Sequence, residues 1–162
     1  MKLKLTLFFL SIFGFSQAQA TYWQQQADYA MEVNFDVKNY QYQGKQTLVY
    51  TNNSQDTLSK VFYHLYYNAF QPGSEMDMRL QNIKDPDSRM VDKIKVNGNE
   101  VKESRISKLK PNEIGYLHVS NFMQDGILAT LNEQETVLEI LLPKAILPHT
   151  STIFTLDFSG QI

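Results

Sequence analysis

The feature that most constrains this chain is a strict two-residue alternation of apolar and polar side chains from Tyr29 to Val37. Small or polar residues lie between the apolar ones, which are Tyr29, Met31, Val33, Phe35 and Val37. Successive side chains of a β-strand face opposite sides of the sheet, so this period indicates a long strand with one apolar face. We expect that face to be buried.

Further segments have strand character, and turn signals separate them. The segment 58–67 is bulky on both faces, so we expect a central strand that is covered on both sides. The polar cluster Asn52–Asp56 favours a turn, and Asn97-Gly98 is typical of a type I′ hairpin. Pro143 and Pro148 are expected to bracket the last connection. The other strand segments are 42–51, 91–96, 101–106, 116–122, 136–142 and 150–158.

These patterns predict an all-β fold of about eight strands, in twisted and mostly antiparallel sheets that form a saddle-like β-sandwich. One irregular excursion, Gln71–Met90, breaks the period of two. Within it Pro72-Gly73 marks a turn, and Ser74-x-x-Asp77 is a pattern that caps short helices. Asp85-Pro86-Asp87 would end such a helix. The excursion is therefore predicted to hold one short helix.

Residues 1–20 are typical of a signal peptide. Two lysines precede the apolar run Leu5–Phe15, and Ala18-Gln19-Ala20 supplies small residues for cleavage after Ala20. The alternative, an uncleaved membrane anchor, is disfavoured because the run is well short of the roughly 20 residues that span a bilayer. The mature chain 21–162 is thus expected to be exported, to the periplasm or to the cell surface and beyond, without a membrane span.

Charge and cysteine content exclude several function classes. The chain carries a net charge of −2 at pH 7, whereas a nucleic-acid-binding protein is expected to present a basic stripe. It contains no cysteine, so neither disulfides nor thiol chemistry contribute. An exported domain of this kind must be stabilised by its apolar core.

The histidines offer no recognisable catalytic or metal motif. His64, His118 and His149 are far apart, and no His-Glu-x-x-His or Gly-x-Ser-x-Gly sequence is present. We expect His64 to be packed and hydrogen-bonded within its strand, and His118 and His149 to be exposed. No catalytic, cofactor-binding or metal-binding residue is therefore assigned in this chain.

The acidic and aromatic residues each allow two interpretations. Glu32 and Asp36 lie on the polar face of the first strand, where solubility is a simpler role than carbohydrate chemistry. A calcium site in the excursion is conceivable from Glu75, Asp77, Asp85 and Asp87, but Arg79, Lys84 and Arg89 are interleaved and favour a solvated loop with ion pairs. A stacking platform or a core cluster is possible for Tyr63, Tyr66, Tyr67 and Phe70, and strand propensity favours the core.

Several phrases in order resemble the opening of one family. They are Asp28-Tyr29-x-Met31-x-Val33-x-Phe35-Asp36, Tyr42-Gln43-Gly44-Lys45-Gln46, Leu48-Val49-Tyr50-Thr51-Asn52-Asn53-Ser54, Val61-Phe62-Tyr63-His64-Leu65, Asn68-Ala69-Phe70-Gln71-Pro72-Gly73-Ser74, Ile94-x-Val96-Asn97-Gly98 and Phe154-x-Leu156-x-Phe158-x-Gly160-x-Ile162. Together they resemble the N-terminal β domain of the aminopeptidase N family of gluzincin zinc metallopeptidases, in its exported bacterial form.

The resemblance implies a non-catalytic domain, 21–162, that packs on a thermolysin-like catalytic domain and helps to wall the substrate cleft. The parent protein would remove N-terminal residues from peptides with a zinc-activated water and a glutamate base. That catalytic domain, with its zinc, would lie beyond Ile162, where the chain stops on an apolar residue as a truncated domain would. No zinc ligand of the family is carried by this chain.

Two alternatives have different structural consequences. A free-standing secreted β-sandwich that binds carbohydrate or protein, or a closed ligand-binding barrel, would bury its apolar faces itself. A domain that packs on a missing catalytic domain would instead leave an apolar face uncovered, because large exposed apolar patches mark interfaces.

Overall fold

The computed structural model describes residues 22–162, so the signal peptide predicted for residues 1–20, with Ala18 and Ala20, lies outside the described residues. The described strands are β1 Gln26–Asp36, β2 Gln41–Asn52, β3 Leu58–His64, β4 Val91–Val96, β5 Asn99–Ser104, β6 Tyr116–Gln124, β7 Ile127–Leu128, β8 Thr130–Gln134, β9 Val137–Ile146 and β10 Thr150–Gln161. One α-helix, α1, spans Glu75–Asn82, and short 3-10 turns span Tyr66–Phe70 and Ile106–Lys108. Within this part of the chain, no helix has the length and apolarity needed to cross a membrane.

Two antiparallel sheets pack face to face. One has five strands in the order β1-β2-β10-β6-β7, and the other has three in the order β3-β9-β8. The strands β4 and β5 form a separate hairpin. The prediction of an all-β sandwich is therefore confirmed. The described part has ten strands rather than about eight, because β7 is only two residues long and the mostly polar β8 shows no apolar period.

The core lies between β2, β10 and β6 on one side and β3 and β9 on the other. Phe122 is fully buried, with its ring centroid 5.2 Å from that of Phe154. Tyr63 meets the Phe122 ring edge-on at 5.7 Å. The remaining buried members are Leu48, Leu65, Val119, Ala129, Leu138, Ile140, Ile146 and Leu156. Large side chains from both sheets thus form the apolar core that stabilises this chain, which has no cysteine for disulfides.

Both turn predictions are confirmed. Asn97 and Gly98 have positive φ angles of 52° and 82°, as a type I′ turn requires, and they join β4 to β5. After β2, the buried Asn52 side chain donates to the Asp56 carbonyl at 2.7 Å. Its Oδ1 accepts from the Ser54 amide at 3.1 Å and from Gln25 Nε2 at 3.0 Å. These bonds hold the turn that leads from one sheet into the other.

The predicted helix in the excursion is also confirmed as α1. The Asp77 amide donates to Ser74 Oγ at 3.2 Å, which is the expected cap. The Asp77 carboxylate is buried and accepts from the Gly73 amide at 2.9 Å. Leu80 of α1, Val91 and Ile106 are the buried residues of a small second core. Met90 and Leu109 pack against it and are partly buried.

Two predictions about the strands are wrong. β3 is not central but lies at the edge of its sheet, and it ends at His64, so Tyr66 and Tyr67 belong to a 3-10 turn. Pro143 does not bracket a loop, because β9 continues through it to Ile146. Proline is tolerated there because β8 pairs with β9 only as far as Leu141 and the β3 register shifts nearby, so no regular ladder needs its amide.

Candidate functional site

The inner face of the five-stranded sheet extends further than the sheet that covers it. Tyr29 of β1 lies opposite Leu48 of β2, and Phe35 lies opposite Tyr42. Directly opposed residues in an antiparallel pair share a face. Since Leu48 belongs to the core, the apolar side of β1 continues the core-facing surface of the sheet.

That side of β1 is nevertheless open to solvent. The exposed fractions are 57% for Tyr29, 56% for Met31, 39% for Val33 and 68% for Phe35. We call these four side chains the overhanging face. The expectation that they are buried is thus wrong within the described chain. The period of two fixes which residues share a face, but the covering sheet has only three strands and does not reach over β1.

A small cavity of about 210 Å³ lies where the overhanging face meets the end of β3. Its walls include Met31, Tyr42, Tyr63, His64 and Phe158. This volume is below the roughly 300–1,000 Å³ of small-molecule pockets, and it suits one large apolar side chain. The cavity is therefore better explained as a receptor for a protein side chain than as a ligand pocket.

A hydrogen bond orients the Tyr63 phenol in the wall of the cavity. Gln46 Nε2 donates to the Tyr63 hydroxyl at 3.3 Å. Burial, with a smaller contribution from nearby Tyr29, raises the pKa of Tyr63 well above its usual value. The phenol is therefore neutral at physiological pH and acts as a hydrogen-bonding group rather than a base. The sequence carries no signal that would pair Gln46 with Tyr63.

His64 is exposed at the end of β3, so the interpretation that it is packed in the core is wrong. Its ring stacks on Tyr66 with a centroid distance of 5.3 Å and an interplanar angle of 17°. Lys60 and Phe62 lie on the same outer side of β3 as His64. Lys60 forms an ion pair with Glu139 at 2.8 Å. These outer side chains meet solvent because they alternate with Val61 and Tyr63 and so point away from the core.

The other two histidines are exposed, as predicted, and lie on separate elements. His118 Nδ1 of β6 lies 3.9 Å from a carboxylate oxygen of Glu133, and His149 Nε2 lies 3.1 Å from Gln55 Nε2. Among residues 22–162, no three His, Asp or Glu side chains come together as a candidate metal site. The structure thus does not bring the three histidines together.

The two acidic residues on the polar side of β1 differ in their contacts. Glu32 is exposed on the polar side of β1. Asp36 is also exposed there, and its carboxylate accepts from Asn39 Nδ2 at 2.8 Å and from the Lys38 amide at 3.0 Å, which shapes the β1–β2 turn. The Asn39 bonds lower the pKa of Asp36 below its usual value. Glu32 shares an open surface cavity with Asp157, and Lys45 lies between the two on β2.

The excursion contains the expected ion pairs. Asp87 pairs with Arg89 at 2.6 Å, and Asp85 pairs with Lys102 at 3.5 Å. Hydrogen bonds from Arg89 lower the pKa of Asp87 to about 2. Asp77 differs from the solvated loop that we expected for all four acids, since it is buried at the start of α1.

The aromatic cluster divides into two groups. Only Tyr63 joins the core, through Phe122. Tyr66, Tyr67 and Phe70 are exposed, so the prediction that they are core residues is wrong. They lie in the 3-10 turn after β3, whose short period does not direct all three towards one sheet.

No protein-family model and no curated protein matches the chain. Among solved structures, the chain is similar to a two-domain M1 zinc metallopeptidase bound to L-tryptophan, with 13% identity, a TM-score of 0.46, and coverage of 85% of this chain and 21% of that one. It is also similar to an M1 zinc metallopeptidase from Deinococcus radiodurans, with 12% identity, a TM-score of 0.46, and coverage of 83% and 20%. The chain thus spans about a fifth of the length of these structures.

Proposed function

We propose that this chain is the non-catalytic N-terminal β domain of an exported zinc aminopeptidase that removes N-terminal residues from peptides. The observation that carries the proposal is the overhanging face of β1. A contiguous apolar surface at the margin of a core marks an interface. In this proposal the catalytic domain of the parent protein covers it, and the β domain helps to wall the substrate cleft in the periplasm or outside the cell.

The free energy that would be gained by covering the overhanging face supports an interface rather than scattered surface residues. Fully burying one large apolar side chain contributes roughly 1.5–3 kcal/mol. The four side chains of the overhanging face are on average about half exposed. Covering them would therefore stabilise the assembly by on the order of 3–6 kcal/mol. A domain with that much uncovered apolar surface is expected to be weakly stable and prone to aggregate when expressed alone.

The zinc of the proposed enzyme does not fit residues of this chain. His64, His118 and His149 lie on β3, on β6 and before β10, and no described acidic group completes a ligand set around any of them. Zinc ligands and the catalytic base are therefore assigned to the catalytic domain of the parent protein. The role of this chain is to position that domain and to shape the approach of the peptide.

The proposal is tested by extending the native reading frame past Ile162 and expressing the longer product beside the mature chain 21–162. We expect the longer product to hydrolyse aminoacyl p-nitroanilides in a chelator-sensitive reaction, and the mature chain to be inactive. A native stop codon directly after Ile162 would contradict the proposal. So would zinc-dependent hydrolysis by the mature chain alone.

A second candidate, a carbohydrate- or protein-binding module, is favoured by one observation. Tyr66 is 71% exposed and stacks with His64, and Phe70 lies exposed at the end of the same turn. Flat exposed rings of this kind stack on sugars or peptides. Binding of a glycan to the mature chain that is abolished by Tyr66→Ala, and unaffected by Tyr22→Ala at the exposed start of the described chain, would establish this alternative.

A further inference from the structure

The region above β1 is bordered by the free edge of β3, whose backbone is unpaired on that side among the described strands. In the three-stranded sheet β3 pairs with β9 on one side, and no described strand pairs with it on the other. The free side faces the overhanging face, because the Tyr63 hydroxyl bonds Gln46 of β2 and Tyr63 shares the cavity with Met31 of β1. β3 thus lies over β2, and the place beside β3 and above β1 is open.

We propose that an extended strand from the catalytic part of the parent protein adds to the free edge of β3 and covers the overhanging face. This inference rests on the proposed function and specifies how the two parts join. Strands in one sheet lie about 4.8 Å apart, which is also the lateral offset from β2 to β1 in the sheet below. A strand added to β3 therefore lies above β1 around Met31, where β3 crosses β2.

A strand fits this place better than a helix does, because it pairs with the free edge of β3 and covers the overhanging face at the same time. The edge of β3 presents unpaired backbone amides and carbonyls, which an added strand pairs with. Its inward side chains then cover Tyr29, Met31 and Val33, and one large apolar residue enters the cavity beside Tyr63. A helix would cover the apolar face but leave the β3 backbone edge unpaired.

The outer side of β3 indicates the chemistry of the added strand. Lys60 and His64 lie on that side, and Lys60 is about half exposed although it pairs with Glu139. Opposite charges on neighbouring strands of a sheet attract, and like charges repel. The added strand is therefore one with apolar residues facing inwards and acidic residues among those facing outwards.

A second copy of this chain is the competing occupant. Another copy could offer its own β1, which has apolar side chains on one side and Asp28, Glu32 and Asp36 on the other. Direct pairing of β1 with β1 is disfavoured, because an antiparallel register that aligns the apolar sides places these acids opposite one another. Pairing of β1 with the β3 edge of another copy carries no such penalty, so the experiment must distinguish it.

The experiment is hydrogen exchange on the longer parent protein, compared with the mature chain 21–162, with the oligomeric state measured by light scattering. We expect the amides of Leu58–His64 that point away from β9 to exchange at least about tenfold more slowly in the monomeric parent protein. Met31→Lys in the parent should restore fast exchange there. The matched control is Met78→Lys, since Met78 of α1 is 50% exposed and lies away from β1. It should leave exchange at β3 unchanged.

A second pair of variants tests the charge preference. Lys60→Met should raise exchange at Leu58–His64 in the parent about threefold, because it removes an attraction to the acidic strand. Lys93→Met, in the β4–β5 hairpin where Lys93 pairs with Glu100 at 3.1 Å, should not change it. Equal effects of the two variants at β3 would overturn the charge argument and with it the stated chemistry of the strand.

The outcomes separate this inference from the function on which it rests. An active parent protein whose β3 amides exchange as fast as in the mature chain would overturn strand addition and leave the function standing. A parent protein without peptidase activity would overturn the function, whatever the exchange at β3. Slow exchange that appears only in a dimer, and is lost on dilution, would identify a second copy as the occupant and overturn the inference.

Discussion

Two phenylalanines, Phe122 and Phe35, allow the uncovered face of β1 to be measured as a difference in stability. Phe122 is fully buried between the sheets, and its ring contacts those of Phe154 and Tyr63. Phe35 belongs to the overhanging face and has one aromatic neighbour, Tyr42, at 6.2 Å. The same substitution, phenylalanine to alanine, removes the same atoms at both positions. The difference between the two therefore reports how well each ring is covered.

The expected magnitudes differ by several kilocalories per mole. Truncating a buried phenylalanine costs about 3–5 kcal/mol, from lost transfer energy and the cavity that remains. Phe122 should lie towards the upper end, because aromatic pairs contribute about 0.5–1.5 kcal/mol beyond their buried area. Phe35 is 68% exposed, so only about a third of a full burial energy of 1.5–3 kcal/mol is at stake. Phe35→Ala should thus cost about 0.5–1 kcal/mol.

The assay is urea unfolding of the mature chain followed by tryptophan fluorescence and circular dichroism, with free energies extrapolated to water. Phe122→Ala should unfold at a much lower midpoint with the slope unchanged. The midpoint of Phe35→Ala should stay close to that of the unmodified chain, and this variant should aggregate less. A loss of 3 kcal/mol or more for Phe35→Ala would show that the face is covered within this chain. The reasoning behind the docking proposal would then fail.

Three further predictions concern the fold. Gly44→Ala should cost about 1–3 kcal/mol in chemical unfolding, since a Cβ there would meet the backbone oxygen of Glu32. Gly115→Ala is the matched control, since a Cβ there would lie 3.5 Å from its nearest neighbouring atom. Asn52→Ala should cost about 1–3 kcal/mol by leaving the buried partners of its amide unpaired, and an unchanged melting temperature would contradict this. Burial alone would raise the pKa of Asp77, but hydrogen bonds outweigh it and hold that pKa below its usual value. The unfolded chain therefore takes up the proton first on acidification, so this contribution to stability is present above about pH 4 and is lost as pH falls through the lowered pKa. Asp77→Asn should flatten that part of the stability–pH curve, and an unchanged curve would refute the assignment.

Local chemistry made several elements of the fold predictable. The positive φ angles at Asn97 and Gly98 follow from residue type, and Ser74 caps α1 through a bond within one helical turn. The side chain of Asn52 holds its turn through the next few residues. Each of these features depends on neighbours in sequence. The sequence does not predict the short strands β7 and β8, because they depend on pairing with longer strands rather than on their own pattern.

The candidate site was less predictable, because it depends on what the chain does not bring together. The exposure of His64 follows from its position on the side of the three-stranded sheet that points away from the core, and no property of the sequence 58–64 shows that this side stays uncovered. The cavity beside Tyr63 collects side chains from distant strands, including Met31 and Phe158. Such contacts have no local signature, so a sequence pattern does not reveal them.

The sequence by itself determined that this protein is a β-sandwich, where its tight turns lie, and which side chains of β1 share a face. These are consequences of backbone stereochemistry and of the two-residue repeat, which act over a few residues. Only the tertiary structure decided which of those faces is covered. Burial depends on the number and order of strands in both sheets, and a three-stranded sheet over a five-stranded one leaves Tyr29, Met31, Val33 and Phe35 in solvent.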